Sequence, residues 1–434
     1  MKYAENIDGV LDAFEQSPLR EEDLDGFYYK ETMGSRTGDA YVSPIQDISD
    51  ACKKPSLRNT FLLLGHRGCG KSTELNKMSV DLKKDGYYVH TAYCATDLDL
   101  INPVSTDLLI LIGDALLSIA EKTGCEISEE TKSRLISFWA VEIEETGTIV
   151  GGAAITAEIG VQVETPKFLS GFLKFFGLIK GNLRHSQEKR TAYKEKITPR
   201  ASEWVRIMNE IADKITAKNF KQPIVIFEDL DKINPGEAFN IFSNHAATLT
   251  GFTFPVIYTF PIELSYDPRF AALLGFYIPK TLPMIKLETM EGDIYHAGID
   301  AIRNIVDKRV RLDLFEEGVL DTLIKKTGGS LRDLFRCITT SAQRAVRRES
   351  RSISQEDIKA AMTQLKSELT RRIERKHYDF LVNIYRGNRQ EIADKDMLLE
   401  TLKANVVLEY NADRWNNVHP LVVDFLRDVV DVKT

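Results

Sequence analysis

The residues best suited to chemistry lie in a glycine-rich run at positions 61–73, FLLLGHRGCGKST. Its spacing matches the pattern G-x-x-x-x-G-K-[ST] through Gly65, Gly70, Lys71 and Ser72. Glycines let successive backbone N–H groups curl around a phosphate, and a following helix directs its positive end at the anion. Lys71 would reach the β- and γ-phosphates, and the Ser72 hydroxyl would ligate Mg²⁺. The run therefore predicts a site for ATP and Mg²⁺.

The whole loop is the candidate nucleotide-binding segment, and one of its side chains is unusual. Cys69 lies beside Lys71 and next to a predicted helix start, and both neighbours favour the reactive thiolate form of a cysteine. We therefore expect Cys69 to alkylate most readily and bound nucleotide to protect it; the alternative is that a small side chain merely fills the loop. The candidate nucleotide ligands here are Gly65, His66, Arg67, Gly68, Cys69, Gly70, Lys71, Ser72 and Thr73.

A second chemically active group ends the segment QPIVIFEDLDKI, residues 222–233. The apolar run 224–227 is typical of a central parallel strand, and carboxylates at its end face the crevice in which α/β sheets bind ligands. The pattern resembles a Walker B motif, in which Glu228 would hold Mg²⁺ and Asp229 would orient the attacking water. The order is reversed from the common Asp-Glu pair, and Asp231 is an alternative to Asp229 in that role. A solvated acidic turn is the non-catalytic interpretation.

Five apolar segments are candidates for the strands that position these groups. Patterns typical of amphipathic helices separate them, so the predicted fold is α/β, a P-loop NTPase with a doubly wound parallel sheet. The candidate strands are residues 61–64, 87–93, 224–227, 254–260 and 281–287.

The remaining chain divides by composition into further parts. Residues 1–50 form an acidic segment of net charge −8, and residues 51–289 form the predicted ATPase domain. Long helical patterns follow at 290–368, which we interpret as a helical lid. Residues 369–434 read as two helices, a hairpin and a helix, the outline of a winged-helix domain.

An insertion interrupts the predicted ATPase domain at residues 141–200. Residues 141–143 and 155–163 alternate apolar and polar side chains, which predicts a β-ribbon closed by Gly151 and Gly152. The following run FLSGFLKFFGLIKG is either a surface helix for a partner or membrane, or a helix buried in the core.

Composition excludes several classes of protein. The chain has 434 residues, 43% of them hydrophobic, a net charge of −7 and five cysteines. These values are typical of a globular protein and argue against a fibrous or wholly disordered chain, and against a protein whose main task is to coat nucleic acid. No C-x-x-C spacing, apolar leader or stretch of about 20 apolar residues is present, so we expect a cytoplasmic protein without a transmembrane segment.

Taken together, the chain resembles an AAA+/STAND-type P-loop ATPase over nearly its full length. The run GGSLRDL at 328–334 resembles the sensor 2 motif of origin-initiator AAA+ ATPases, which implies that Arg332 contacts the γ-phosphate from the lid. Thr259 ends the strand after the acidic motif, where sensor 1 lies. Arg269 is placed like an arginine finger, a role that requires a homo-oligomer. The run VHPLV at 418–422 resembles the motif of STAND switches in which a histidine, here His419, reaches the ADP phosphate, although Pro420 replaces the usual Asp.

The resemblance implies a nucleotide-driven switch that binds ATP and ADP, hydrolyses ATP with Lys71 and Asp229, and controls a separate effector, as in prokaryotic antiviral systems. The alternative is a DNA-binding initiator or transposition-type ATPase. Its candidate recognition helix, residues 393–405, has a net charge of −1, which fits a phosphate backbone poorly, so nucleic acid is not the favoured partner. A small-molecule kinase is a third reading.

Overall fold

The computed structural model describes residues 1–15, 17–30, 32–37, 43–54, 59–146, 164–390, 392–410 and 414–429. Its centre is a five-stranded, all-parallel sheet in the order β2-β3-β4-β1-β5. The three central strands, β1, β3 and β4, are wholly buried and mainly apolar, as expected of strands covered on both faces. The strands are β1 (Thr60–Leu64), β2 (Tyr88–Tyr93), β3 (Pro223–Glu228), β4 (Val256–Phe260) and β5 (Ile278–Thr281).

Helices cover both faces of this sheet, which confirms the predicted doubly wound α/β fold. In the described part of the chain before β1, the short α-helices are α1 (Val10–Ala13), α2 (Leu24–Phe27), α3 (Thr32–Thr37) and α4 (Pro44–Cys52). The helices between β1 and β5 are α5 (Lys71–Lys84), α6 (Cys94–Asp97), α7 (Ser105–Thr123), α8 (Glu129–Thr146), α9 (Thr165–His185), α10 (Gln187–Ile197), α11 (Ala201–Asn219), α12 (Pro235–Asn244) and α13 (Ala246–Leu249).

The chain beyond the sheet is mainly helical. Its first four helices, here called the lid helices, are α14 (His296–Asp307), α15 (Val319–Lys326), α16 (Leu331–Arg347) and α17 (Gln355–Thr370). They are followed by α18 (Tyr378–Tyr385), α19 (Lys395–Lys403), an antiparallel hairpin of β6 (Val407–Tyr410) and β7 (Trp415–Val418), and α20 (Pro420–Val429). The lid helices, these C-terminal elements and α1 share one hydrophobic core.

Two local predictions were wrong. The edge strand lies at Ile278–Thr281 rather than at 281–287, because the chain leaves the sheet after Leu282, whose N–H donates to the Leu64 carbonyl oxygen, and Met284 bonds instead to the C-terminal hairpin. Residues 141–143 are helical, in α8, and not the first strand of a ribbon. The second strand of that predicted ribbon falls at 155–163, outside the described residues.

The aromatic run of the insertion lies in the core rather than on the surface. Phe172, Phe175 and Phe176 of α9 have no exposed area and contact Trp139 of α8 or one another. Trp204 of α11 stacks on Phe176. Packing of these large rings against one another in the core explains the apolar character of the helix, and no partner or membrane is needed to cover it. Among the described residues, no helix combines the length and the apolar character needed to cross a membrane.

Candidate nucleotide-binding site

The glycine-rich loop, residues 65–70, turns the chain from β1 into α5. Gly68 and Gly70 adopt φ values of 91° and 101°, which L side chains rarely adopt. A Cβ on Gly68 would lie 2.6 Å from the Cβ of Arg332, so the lid packs directly on the loop. A Cβ on Gly65 would lie 2.6 Å from the carbonyl oxygen of Leu282. These glycines therefore permit both the turn and the close packing around it.

The loop borders a cavity of about 320 Å³ between the sheet, the lid and the N-terminal segment. The cavity brings together nine of the predicted site residues, which are Arg67, Gly68, Gly70, Lys71, Ser72, Thr73, Glu228, Asp229 and Arg332. Six others do not line it: Gly65, His66, Cys69, Thr259, Arg269 and His419.

Lys71 is buried at the floor of this cavity. Its Nζ donates to the carbonyl oxygens of Gly65 at 2.6 Å and His66 at 3.0 Å, and it forms an ion pair of 2.9 Å with Asp231. Burial alone would lower the pKa of Lys71, but the neighbouring carboxylates, with Asp231 foremost, outweigh it and raise the pKa. The same pairing outweighs burial at Asp231 and lowers its pKa. Both groups are therefore charged. An anionic ligand in the cavity would compete with Asp231 for the Lys71 ammonium group.

Glu228 carries the chemistry expected of a magnesium ligand. Its Oε2 accepts a hydrogen bond of 2.7 Å from the Ser72 hydroxyl, while its buried Oε1 has no hydrogen-bond partner. Burial is the main reason that its pKa is raised to about 7, and Asp231 and Asp229 add to this. A cation would satisfy the orphaned oxygen and offset the carboxylate charge. Mg²⁺ commonly uses one or two protein oxygens together with phosphates and waters, so this pair fits it.

Asp229 and Thr259 lie at neighbouring strand ends. Asp229 lines the cavity in the left-handed region, with φ of 72°, and pairs with Lys232 at 2.5 Å. The Thr259 hydroxyl donates to the Phe227 carbonyl oxygen at 3.1 Å and accepts from the Leu230 N–H at 3.0 Å. Thr259 therefore braces the turn that carries Asp229 instead of facing the cavity itself.

His66 points away from the cavity and into the C-terminal part of the chain. Its Nε2 accepts from the backbone N–H of Glu409 at 2.8 Å, so Nδ1 carries the proton and donates to Asn405 Oδ1 at 3.3 Å. Asn405 Nδ2 in turn donates to the Arg67 carbonyl oxygen at 3.3 Å. Burial lowers the pKa of His66 to about 3 and keeps the ring neutral. The expectation that its side chain faces the nucleotide is not met.

Cys69 is fully buried and packs in the core with Phe61 and Leu75. The expectation of a readily alkylated thiol fails in this conformation, because burial blocks access of a reagent to the sulfur.

Arg332 lies in the first turn of the lid helix α16, whose N-terminus is capped by Ser330 accepting from the Asp333 N–H at 3.3 Å. His419, expected to reach a phosphate, lies behind this helix, with Nε2 3.8 Å from Asp333 Oδ2. Burial lowers its pKa to about 4.

Arg269 is paired with Asp267 at 2.6 Å outside the cavity, and its side chain is 64% exposed.

The N-terminal segment supplies cavity residues that the sequence patterns did not indicate. Leu19 binds α5 through its backbone N–H, which donates to Thr73 Oγ1 at 3.2 Å. The Tyr28 hydroxyl donates to Glu74 Oε2 at 2.9 Å. Arg36 lines the cavity beside Gly70. The aromatic triplet at 27–29 was the one available signal, but nothing local connects it to a loop more than 35 residues away.

The parallel strand order, the loop between β1 and α5, and the acidic end of β3 define the fold of a P-loop NTPase. No family model and no curated protein matches the chain. Among solved structures it is similar to the Walker-type ATPase PABY2304 of Pyrococcus abyssi, with 14% identity, a TM-score of 0.47, and coverage of 96% of this chain and 99% of that one.

Two further solved structures are similar at lower TM-scores. Cdc6p from Pyrobaculum aerophilum is 12% identical, with a TM-score of 0.35 and coverage of 93% of this chain and 99% of that one. The ORC2 protein of Aeropyrum pernix, in its ADP form, is 11% identical, with a TM-score of 0.39 and coverage of 97% of each chain. A Walker-type ATPase and Cdc6 and ORC proteins are thus its structural neighbours, and the likeness is one of architecture alone.

Proposed function

We propose that this protein is an ATP-binding and ATP-hydrolysing conformational switch, in which occupancy of the cavity controls the position of the lid and the C-terminal hairpin. One observation carries the proposal. The loop that would hold the phosphates also bonds to the C-terminal part, through His66 to Glu409 and through Arg67 to Asn405. A change in the loop is therefore felt directly by the hairpin.

The proposed roles follow from the cavity. Lys71 would exchange Asp231 for phosphate oxygens, and the loop N–H groups would bind the same phosphates. Ser72 and Glu228 would hold Mg²⁺, which supplies charge neutralisation to the phosphates when bound. Once phosphate has taken Lys71, either Asp229 or the released Asp231 would orient the attacking water.

Arg332 is the proposed sensor of the γ-phosphate. It lines the cavity from the first turn of α16, where its backbone packs on Gly68. A guanidinium there gains an anionic partner with ATP and loses it after hydrolysis. His419 would act indirectly, since it faces Asp333 and not the cavity. The lid would thus follow the nucleotide state through one helix.

The C-terminal hairpin also contacts the ATPase core and the lid, at one further place each. Glu409 accepts from the Tyr266 hydroxyl at 2.6 Å, in the segment that precedes Arg269. The Tyr410 hydroxyl donates to the Gly328 carbonyl oxygen at 2.6 Å, at the entry to α16. The hairpin therefore bridges the loop, the lid and the Arg269 segment, as a switch element should.

Finer assignments belong to the same proposal. Exposure of Arg269 supports a role as an arginine finger in a homo-oligomer, after release from Asp267. Control of a separate effector, with antiviral defence as one setting, rests on the sequence resemblance. The proposed domains are 1–50, 51–289, 290–368 and 369–434, with the first contributing to the cavity.

A DNA-binding function is the second candidate, and one observation favours it. Arg344, Arg347 and Arg351 are exposed near the C-terminal end of α16 and have no ion-pair partner among the described residues. Against it, α19 packs on the segment 262–266 of the ATPase core, which occupies one face of the candidate recognition helix. Fluorescence anisotropy with duplex DNA, comparing the wild type with a triple alanine variant of these arginines, tests it.

The test of the main proposal is native mass determination without nucleotide, with ADP and with ATP–Mg²⁺, alongside phosphate release. Lys71→Ala should abolish nucleotide binding and turnover, whereas Lys77→Ala, on the same helix but paired with Asp81, is the matched control and should retain both. A wild-type chain that binds neither ATP nor ADP would overturn the proposal. Transfer of phosphate to an acceptor molecule instead of water would indicate a kinase.

A further inference from the structure

The N-terminal segment places a buried guanidinium in the nucleotide cavity. Arg36, in α3, is only 1% exposed and lines the cavity together with Gly70, Lys71 and Arg332. It lies outside both phosphate-binding motifs, 34 positions before Gly70 in the chain. A buried positive charge at this location needs a compensating negative charge nearby.

Arg36 forms no ion pair with a carboxylate within the described part of the chain. Its Nη1 donates to the Pro283 carbonyl oxygen at 2.7 Å, and its buried Nε has no hydrogen-bond partner. The buried carboxylate of Glu74 is near enough for the Arg36 charge to oppose the rise that burial causes in the pKa of Glu74, but it forms no ion pair with Arg36 and accepts from the Tyr28 hydroxyl at 2.9 Å. A guanidinium has five N–H donors and keeps its charge, so burial with one carbonyl as its partner is costly. An anionic ligand would offset that cost.

The guanidinium lies where such an anion would arrive. A Cβ built on Gly70 would be 3.3 Å from Arg36 Nη2, and Gly70 is the N-cap of α5. The free N–H groups and the positive end of that helix direct an anion to the same place. Arg36 therefore approaches the phosphate position from the N-terminal side, and Arg332 lies on the lid side of the loop.

We propose that Arg36 binds a phosphate group of the nucleotide and completes the phosphate site from outside the two Walker motifs. The inference rests on the proposed function, because it requires a nucleotide in this cavity. A planar guanidinium can make paired hydrogen bonds to phosphate oxygens, which an ammonium group cannot reproduce. The donors for this contact are Nη2, which lies nearest to Gly70, and Nε, which has no hydrogen-bond partner among the described residues.

The same side chain connects the phosphate to the start of the lid. Arg36 holds the Pro283 carbonyl, and the next residue, Met284, donates its backbone N–H to the Glu409 carbonyl oxygen at 3.2 Å. Binding of phosphate by Arg36 would therefore brace the segment between β5 and the lid, close to its contact with the C-terminal hairpin.

The test measures binding of adenosine, AMP, ADP, ATP and inorganic pyrophosphate by calorimetry to the full chain. Arg36→Ala should weaken ADP, ATP and pyrophosphate by about ten- to hundredfold and leave adenosine unchanged, since only phosphate contacts are lost. The affinity of Arg36→Lys for these ligands should fall between those of Arg36→Ala and the wild type, because lysine keeps the positive charge but cannot make the paired hydrogen bonds of a guanidinium. Arg20→Ala, an exposed arginine of the same N-terminal segment, is the control and should match the wild type. Circular dichroism without ligand checks that each variant is folded.

The outcomes separate this inference from the proposed function. Wild-type and Arg36→Ala chains that bind ADP equally would overturn the role of Arg36 and leave the switch intact. Equal weakening of adenosine and ADP would also overturn it, by showing a structural effect on the cavity. If Arg36→Ala does not fold, Arg36→Lys decides, and wild-type affinity for pyrophosphate in that variant would overturn the forked contact. A wild-type chain that binds no nucleotide would overturn both.

Discussion

Protonation of His66 is the perturbation that should break the contact between the glycine-rich loop and the C-terminal hairpin. The ring is 1% exposed, and its Nε2 accepts the Glu409 backbone N–H at 2.8 Å. A proton on Nε2 would place two donors face to face and bury an unpaired charge. For these reasons the folded protein resists protonation, and the pKa of His66 is lowered to about 3.

The magnitude follows from linkage between protonation and folding. A histidine pKa that is lower in the folded chain contributes stability above the unfolded value of about 6.5, and this stability is lost as pH falls toward about 3. At about pH 5 the unfolded chain gains about 2 kcal/mol from protonating this site, and at about pH 7.5 it gains roughly 0.1 kcal/mol or less. Acidification should therefore destabilise the fold by about 2 kcal/mol through His66 alone.

The assay compares the wild type with His66→Gln, which cannot titrate, by urea unfolding at the two pH values. The variant is less stable at the higher pH because it loses packing, but the difference in free energy of unfolding should shrink by about 2 kcal/mol at the lower pH. His185→Gln, at an exposed ring, is the control and should show an unchanged difference. If the difference in free energy of unfolding between the wild type and His66→Gln stays constant with pH, His66 is not a buried, neutral hydrogen-bond acceptor.

Three other predictions concern the cavity and the core. Glu228→Gln should retain ATP binding but lose the Mg²⁺-dependent rise in melting temperature and about a hundredfold or more of the hydrolysis rate, as measured by thermal shift and phosphate release. Gly68→Ala should destabilise the protein by about 1–3 kcal/mol in chemical denaturation, because φ is 91° and the new Cβ meets Arg332; an unchanged stability would show that the lid does not pack here. Phe176→Ala should cost about 3–5 kcal/mol by the same measurement, since it leaves a cavity beside Trp204, and a surface-like loss below 1 kcal/mol would contradict the buried helix.

The sequence predicted the parts of the fold that depend on local pattern. The glycine spacing placed the loop between β1 and α5, and the apolar run before Glu228 placed β3. Hydrophobic periodicity gave wrong predictions of secondary structure where contacts with distant parts of the chain determine the conformation. Residues 281–287 have the composition of a strand, yet the chain leaves the sheet after Leu282, and the Met284 N–H bonds to the hairpin instead. Residues 141–143 alternate like a strand but continue α8, in which Ile143 is buried in the core and Val141 is 59% exposed.

The candidate site was predicted where motifs are contiguous and missed where distant segments meet. The roles of Lys71, Ser72 and Glu228 can be predicted from the residues adjacent to them in the sequence. The role of Arg36 cannot, since only the fold brings it to Gly70. The partner of His66 is 343 positions away in the chain, and a single sequence contains no pairing signal at that separation. The motif itself leaves His66 unspecified, so its role had to be read from the structure.

The loop has two sets of partners, and this bounds how strongly nucleotide and hairpin can be coupled. Its N–H groups and Lys71 face the cavity, while the His66 ring and the Arg67 carbonyl face Asn405 and Glu409. Three hydrogen bonds at about 0.5–1.5 kcal/mol each sum to roughly 1.5–4.5 kcal/mol, and the upper value is the ceiling. By reciprocity, release of the hairpin can change nucleotide affinity by no more than about two-thousandfold through these contacts. Asn405→Ala, which removes two of the three bonds, should therefore change ADP affinity measurably, whereas a larger change than this ceiling would require a route through the lid.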